Sequence, residues 1–223
     1  MGSYSSLTVA LDDIVDPDWG NSVRDRVIHS YANDAARDAE ITSPVTGNIV
    51  HLQDTNSIWV YTGAAWELFS AAVMSARLTA DAAGITTNTV LGNIAGLSKA
   101  VVASHVYQLS GKILYTAGGG AGAGQLKIGW TAPAGSTLLW SPMGLVVNGA
   151  SGVSGSITTD GSVLADARSF GAGGASTCSL HVDGILTVGG ASGTFQFQAA
   201  QAASSATATV IKAGSHFELE LLS

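Results

Sequence analysis

Charge, cysteine and proline are all scarce in this chain. Only 11% of its 223 residues are Asp, Glu, Lys or Arg, against about 25% in an ordinary soluble domain. The nine basic residues form no patch. Nucleic-acid binding, which needs a basic surface to neutralise phosphates, therefore has no support. Cys178 is the single cysteine, which excludes an intrachain disulfide framework and a cysteine-based zinc site; it reads as a small apolar core residue. Apolar runs stay short of the roughly 18 residues that mark a membrane-spanning helix. The first residues also lack the basic-then-apolar pattern of a secretory signal.

Apolar residues and glycine are plentiful. The hydrophobic fraction is 46%, with 28 glycines and 4 prolines. That balance suits close-packed strands joined by tight turns, often within an assembly, and not a disordered chain. The charge is placed unevenly. Residues 1–75 hold three arginines against ten acids, which is the whole net charge of −7, and six basic residues balance six acids from 76 onward. Two regions with different surroundings are implied.

In the first region, Asp16-Pro17 is a helix start, because proline at the first helical position lacks only a donor that would be unpaired there anyway. Val23, Val27, Ile28 and Tyr31 follow at helical spacing, which predicts a helix over about 17–31. A second, brief helix is predicted around Asp34 to Ala39. Turn residues at Pro44–Gly47, Asp54–Ser57 and Thr62–Ala65 then separate three short strands, Asn48–Gln53, Ile58–Tyr61 and Trp66–Phe69, a β-meander. Trp59, Tyr61, Trp66 and Phe69 are a heavy aromatic load for so small a sheet. Trp59, Tyr61 and Trp66, together with Trp19, Val23, Val27 and Tyr31, are the expected anchor or interface residues of an N-terminal unit, 1–70.

Residues 71–78 read as a connector, and 79–223 as an antiparallel β-sandwich of jelly-roll type. The evidence is period-two alternation. Tyr107, Leu109, Gly111, Ile113 and Tyr115 alternate with Gln108, Ser110 and Lys112; Leu126, Ile128 and Trp130 with Lys127 and Gly129. Cys178, Leu180 and Val182 alternate with Ser179, His181 and Asp183; Phe195, Phe197 and Ala199 with Gln196 and Gln198; Phe217, Leu219 and Leu221 with Glu218 and Glu220. Further strands are expected near Arg77–Thr79, Val90–Ile94, Leu138–Trp140, Ser156–Thr158 and Thr207–Ile211. About eight to ten strands without helical insertions indicate the sandwich.

No arrangement in the sequence has the spacing of an active site. The glycines of 118–124 precede a strand-like Gln125-Leu126-Lys127-Ile128, whereas a phosphate loop needs a helix behind it. His29, His51, His105, His181 and His216 lack the spacing that puts two imidazoles on one metal, though folding could bring His181 near Asp183 or His216. Asp12, Asp13, Asp16 and Asp18 lack the pattern of a calcium loop. Asp160, Asp166, Asp183, Glu218 and Glu220 are the carboxylates a glycosidase would have to draw on, and none of them forms an evident pair. The expectation is a non-enzyme with no catalytic, metal or cofactor site. Trp130 shares a face with Leu126 and Ile128 and reads as core. Trp140, before Ser141-Pro142, stands near a strand end and is the one candidate for a ligand rim.

Two stretches carry a family likeness. Trp19–Val27, with Ala36–Ala39, Ile41–Gly47 and Val60–Trp66, resembles the N-terminal region of minor tail proteins of tailed phages that infect actinobacteria. Gly193–Gln201, continued by Ser205–Ser215, is similar to the closing strands of the C-terminal β-sandwich in phage fibre and spike proteins of that kind. The resemblance implies a virion component made in the host bacterial cytoplasm: a homotrimer, anchored through its N-terminal region to other virion structural proteins, with the sandwich as an outward knob. A short spike, fibre or capsid decoration fits the length, and capsid and tail attachment both stay open. A carbohydrate-binding adhesin that uses the sandwich on a host surface glycan is the alternative.

Overall fold

In the computed structural model the described residues are 28–71, 73–118, 124–145, 157–158, 162–171 and 174–222. The chain divides between Ser70 and Ala71 into two units.

The first unit holds β1 (His29–Tyr31), α1 (Asp34–Glu40), β2 (Ile49–Leu52), β3 (Ser57–Tyr61) and β4 (Trp66–Ala71), with the strands ordered β1-β2-β3-β4. The meander is therefore present with one strand more than the three expected. Of the helix predicted over 17–31, residues 17–27 lie outside the described residues. Its last turn is corrected: His29–Tyr31 pairs parallel with Val50–Leu52. The ladder continues where Gln53 N donates to Tyr31 O at 2.9 Å. Ile28 and Tyr31 matched helical spacing, but a sheet edge offered their backbone a ladder, and tertiary pairing overrides so short a periodic signal. α1 lies where it was predicted. The Asn33 side chain caps it, accepting from Ala36 N at 2.8 Å, and Asp34 complements the positive end of the helix.

The second unit is a β-sandwich. Its larger sheet runs β5 (Met74–Arg77), β16 (His216–Leu221), β7 (Val106–Ala117), β13 (Gly174–Thr187), β9 (Thr137–Leu145). The short strands β10 (Ile157–Thr158) and β11 (Ser162–Val163) pair with β9, and β15 (Thr209–Ile211) pairs with β7. The smaller sheet runs β6 (Gly92–Val101), β14 (Gly193–Gln201), β8 (Leu126–Thr131), β12 (Arg168–Phe170). Every pairing within the two sheets is antiparallel.

Alternation places the apolar set of each strand between the sheets. Tyr107, Leu109, Ile113 and Tyr115 of β7, Leu180 and Val182 of β13, Phe195 and Phe197 of β14, and Phe217 and Leu219 of β16 are all buried. Cys178 is buried with them. Trp130 sits at the centre. It stacks on Phe195 at 4.8 Å and meets Phe197, Phe217 and Trp140 edge-on at 5.1, 5.4 and 6.3 Å. Phe217 and Trp140 come from the opposite sheet, so this aromatic cluster is what joins the two layers.

Residues 71–78 are not a simple connector. Met74–Arg77 forms the edge strand β5 against β16, with Ala76 opposite Phe217. Met74-Ser75-Ala76-Arg77 is too short, and buries only Ala76, to show an alternation that reads as a strand. Beyond β5 the chain follows the β15–β16 edge. Leu78 N donates to Ser215 O, Ala82 N to Ile211 O and Thr87 N to Ser205 O, each at 2.9 Å. Asp81 fastens this segment through Lys212 Nζ and Ala213 N. Those two hydrogen bonds, the Lys212 one first, hold the Asp81 carboxyl below its ordinary value. A lowered folded-state value means that the tether contributes stability above about pH 4, the ordinary aspartate range. The contribution is lost as pH falls through the lowered value. In thermal melts across the acid range, wild type should exceed Asp81→Asn at neutral pH and converge on it at the acid end.

Candidate functional site

Three places could hold chemistry, and the first is the aromatic face of the meander. Residues 57, 59 and 61 of β3 share one face because side chains alternate along a strand. Trp59 Nε1 donates to Ser57 Oγ at 2.8 Å. The rings of Tyr61 and Trp66 lie 5.4 Å apart, and the Arg37 guanidinium stands over Trp66 at 4.8 Å. Arg37 is only 7% exposed and donates through Nε to Asp38 Oδ1 at 2.8 Å. Within the unit, Trp66 and Arg37 thus tie α1 to the sheet by a cation–π contact. Of the expected anchor residues, Trp59, Tyr61 and Trp66 are half-buried in this cluster. Tyr31 lies in β1 with its ring near His29, and Trp19, Val23 and Val27 lie outside the described residues. The alternate face of β4 presents Phe69, which is 74% exposed.

The first unit also carries a hydrogen-bonded chain that sequence spacing does not reveal. Gln53 Nε2 donates to Ser30 Oγ at 3.0 Å, Ser30 Oγ lies 3.0 Å from His51 Nδ1, and His51 Nε2 lies 2.9 Å from Asn56 Oδ1. With Nε2 protonated toward Asn56, Nδ1 is free to accept from the serine hydroxyl. Serine, base and orienting amide are the parts of a nucleophilic relay. Ser30, Gln53 and Asn56 are exposed and His51 is half-buried, and the Gln53 amide already occupies the serine oxygen. The network links β1 to the 53–56 turn. The only sequence cue, the i, i+5 pairing of His51 and Asn56, has no special meaning until the turn is folded.

The second place is an open groove of about 780 Å³ along the edge of the sandwich, bordered by 77–86 and the start of β6. Its ionisable lining residues are Arg77 and Asp81, and Asp81 is already engaged by Lys212 and Ala213 N. The lining amides are also occupied. Asn88 Oδ1 accepts from Val90 N at 2.9 Å, and Asn93 Oδ1 accepts from Gln198 Nε2 at 2.9 Å. The β6 backbone bulges here. The Gln196 amide nitrogen lies 2.8–3.0 Å from the carbonyl oxygens of Ile94, Leu97 and Phe197 and donates to them. Gly96 supplies the left-handed φ of +86° that this bulge requires. The groove offers backbone and small side chains, with no nucleophile beside a base.

The third place is the outer face of the larger sheet, where His181, Lys112 and His216 fall in one row across β13, β7 and β16. Asp183 and Glu218 flank that row. Folding could have brought His181 near Asp183 or His216; it shares a row with His216, and Lys112 stands between them. Among the described residues no group of three or more His, Cys, Asp or Glu is placed to hold a metal.

The remaining candidates are placed as follows. Trp140 is 2% exposed, lies in the inter-sheet core and donates Nε1–H to Val163 O at 3.0 Å. The rim position expected of it is overturned. The alternation that begins at Leu138 continues past it, because β9 runs on through Pro142 to Leu145. Its partners β11 and β10 reach only Leu139–Trp140 and Leu145–Gly144. Pro142 falls in the interval between them, where a missing donor breaks no bond to either strand. Asp166 Oδ2 accepts from Val163 N within its own turn. Asp160, the acids of 12–18 and most of the 118–124 glycine run lie outside the described residues. Tyr115 OH donates to Gly171 O at 2.7 Å, and burial, with Cys178 beside it, pushes this hydroxyl well above the ordinary tyrosine range.

No family model matches the chain, and no curated protein matches it. Among solved structures it is similar to a CocE/NonD family hydrolase from Staphylococcus aureus, at 9% identity and a TM-score of 0.22, covering 78% of this chain and 41% of that one. It is also similar to a structure of infectious bursal disease virus, Gt strain, at 12% identity and a TM-score of 0.17, covering 74% and 50%. A VP2 subviral particle of the same virus aligns at 10% identity and a TM-score of 0.16, covering 68% and 40%. The chain thus spans half or less of each of these structures. Alignments this loose carry no argument about fold or function.

Proposed function

We propose that the chain is a non-enzymatic structural component of a tailed-phage virion, a short trimeric spike, fibre or decoration. The N-terminal unit anchors it to capsid or tail, and the sandwich faces outward. The observation that carries this reading is the distribution of polarity in the second unit. Aromatic side chains close the space between the sheets, while the charged side chains lie on open strand faces and edges and not between the layers. Among the described residues such a body presents surface and offers no reactive cavity. The family likeness adds to it, because Gly193–Gln201 is β14 and the similar stretch that follows includes β15, both integral to the sandwich.

Strand order supports a jelly roll. Without the β9–β11 excursion and β15, the larger sheet reads β5-β16-β7-β13 and the smaller β6-β14-β8-β12. Successive strands therefore alternate between layers except at β8 and β12, which are neighbours in the smaller sheet, as in two wound Greek keys. The low charge of this region suits burial against sister copies, as in an obligate assembly. Light scattering on the purified chain should give a whole multiple of three times the 22.4 kDa chain mass. A stable monomer at micromolar concentration would overturn the trimer.

A further inference from the structure

The outer face of the larger sheet arranges its charges in two adjacent rows of opposite sign. Strand register sets Met143, His181, Lys112, His216 and Arg77 side by side across β9, β13, β7, β16 and β5. Two residues along each strand, and hence on the same face, come Ser141, Asp183, Ser110, Glu218 and Ser75. Arg77 and Asp183 are exposed, and Lys112 and Glu218 are half-exposed. Among the described residues none of these four takes part in an ion pair. The next row begins with three apolar side chains in register, Val163, Leu139 and Ile185, which are 48%, 66% and 41% exposed, and continues through Gln108 to the exposed Glu220 at the far end. Beyond the basic row lie Leu114 and Leu145, both half-buried.

We propose that this face pairs with the same face of a second copy of the chain about a two-fold axis. The charge pattern identifies the occupant. An axis that runs across the strands, between the two rows and in the plane of contact, exchanges the rows. It sets the His181–Lys112–His216–Arg77 row of each copy over the Asp183–Glu218 row of the other. His181 then faces the second copy's Asp183, His216 faces its Glu218, and Lys112 lies between both carboxylates. The same rotation carries the Leu139 row of each copy over the Leu145 side of the other, which covers the exposed apolar side chains. The two central rows supply two permanent cations and two carboxylates, so the face is its own complement. An isologous contact requires that property, and a foreign partner does not. Packing of two sheet faces with their strands nearly aligned is a standard arrangement. The contact is independent of any three-fold one.

Charge exchange on the full-length chain tests it by sedimentation velocity at micromolar concentration. Arg77→Glu with Lys112→Glu makes the face acidic, and Asp183→Lys with Glu218→Lys makes it basic. Each double variant should lose the pairing step by about 100-fold or more, because like charges then meet across the axis. An equimolar mixture of the two should regain it, and so should the quadruple variant, in which the rows have simply changed places. Molar salt should weaken the wild-type pairing, since screening then acts within about 3 Å. Regain on mixing shows that the double variants are folded and fixes the contact to this face. If the wild type shows no doubling step, or if the double variants associate as it does, the proposal is overturned. A chain that sediments as a trimer without doubling would sink this pairing and leave the trimer standing.

Discussion

Trp130→Ala should destabilise the sandwich by about 3–5 kcal/mol, the cost of deleting a large aromatic from a close-packed core. Typical domains have only about 5–15 kcal/mol to lose, so the variant should melt far earlier or fail to fold. The reason lies in position as much as in size. Trp130 contacts Phe195 and Phe197 within its own sheet and Phe217 and Trp140 in the opposite one, so truncation opens a cavity that both layers line. A second substitution separates packing from polarity. Trp130 Nε1 is buried and has no hydrogen-bond partner among the described residues, and an orphaned buried donor costs about 1–3 kcal/mol. Trp130→Phe keeps a ring against Phe195 and removes that donor, so its cost should be less than half that of the alanine variant. Trp140→Phe removes the same atoms but breaks the bond from Nε1 to Val163 O, and should cost about 1 kcal/mol more than Trp130→Phe. Denaturant midpoints at unchanged slope measure all three. Equal losses for the two phenylalanine variants would show that the indole nitrogens are not as different as described.

Gly184→Ala should cost about 1–3 kcal/mol, a large effect for one methyl group, because it overpacks the same core. A Cβ at Gly184 would lie 2.6 Å from Leu139 O and 2.9 Å from Trp140 Cβ. The first of these is backbone of the neighbouring strand, so the methyl cannot be accommodated by turning a side chain. Gly111 repeats the pattern on β7, with His216 O at 2.9 Å and Phe217 Cβ at 3.0 Å. Glycine on the inward face of a strand here makes room beside a large aromatic on the next strand. That accounts in part for a glycine-rich chain with a dense core. Gly190→Ala is the control: nothing lies within 4 Å of its added Cβ, and its effect should stay within about 0.5 kcal/mol. If the two alanines melt alike, the β9–β13 register at Trp140 is wrong.

Where one face of a strand is buried along its length, the sequence reveals it. The alternation in β7, β13, β14 and β16 predicted which residues face the core, and Trp130 and Cys178 lie where it put them. Elements whose identity depends on a distant partner were hidden. β1 is three residues long and exists through its parallel ladder with β2. β5 and β12 are similarly short, and Arg168-Ser169-Phe170 becomes a strand by pairing with Leu126–Ile128. β5 to β16 make twelve strands among the described residues, against the eight to ten expected, and β11 and β12 make up most of the excess. Trp140 was misplaced because Pro142 was read as the end of a strand that in fact continues.

The candidate sites were legible only as residue types. No spacing rule joins Ser30 to His51 or Lys112 to His181 and His216. Those neighbours are set by register between strands remote in sequence, and a one-residue slip would move each to the opposite face. What could be read beforehand was the lack of any cluster with a recognised catalytic or metal-binding spacing.

A virion role is tested most directly by labelling washed phage particles with a gold-conjugated antibody against the sandwich and imaging them by electron microscopy. Gold at fixed positions on capsid or tail is the expected outcome. Particles that carry none of the protein, with all of it left in the soluble fraction of the lysate, would contradict the structural reading.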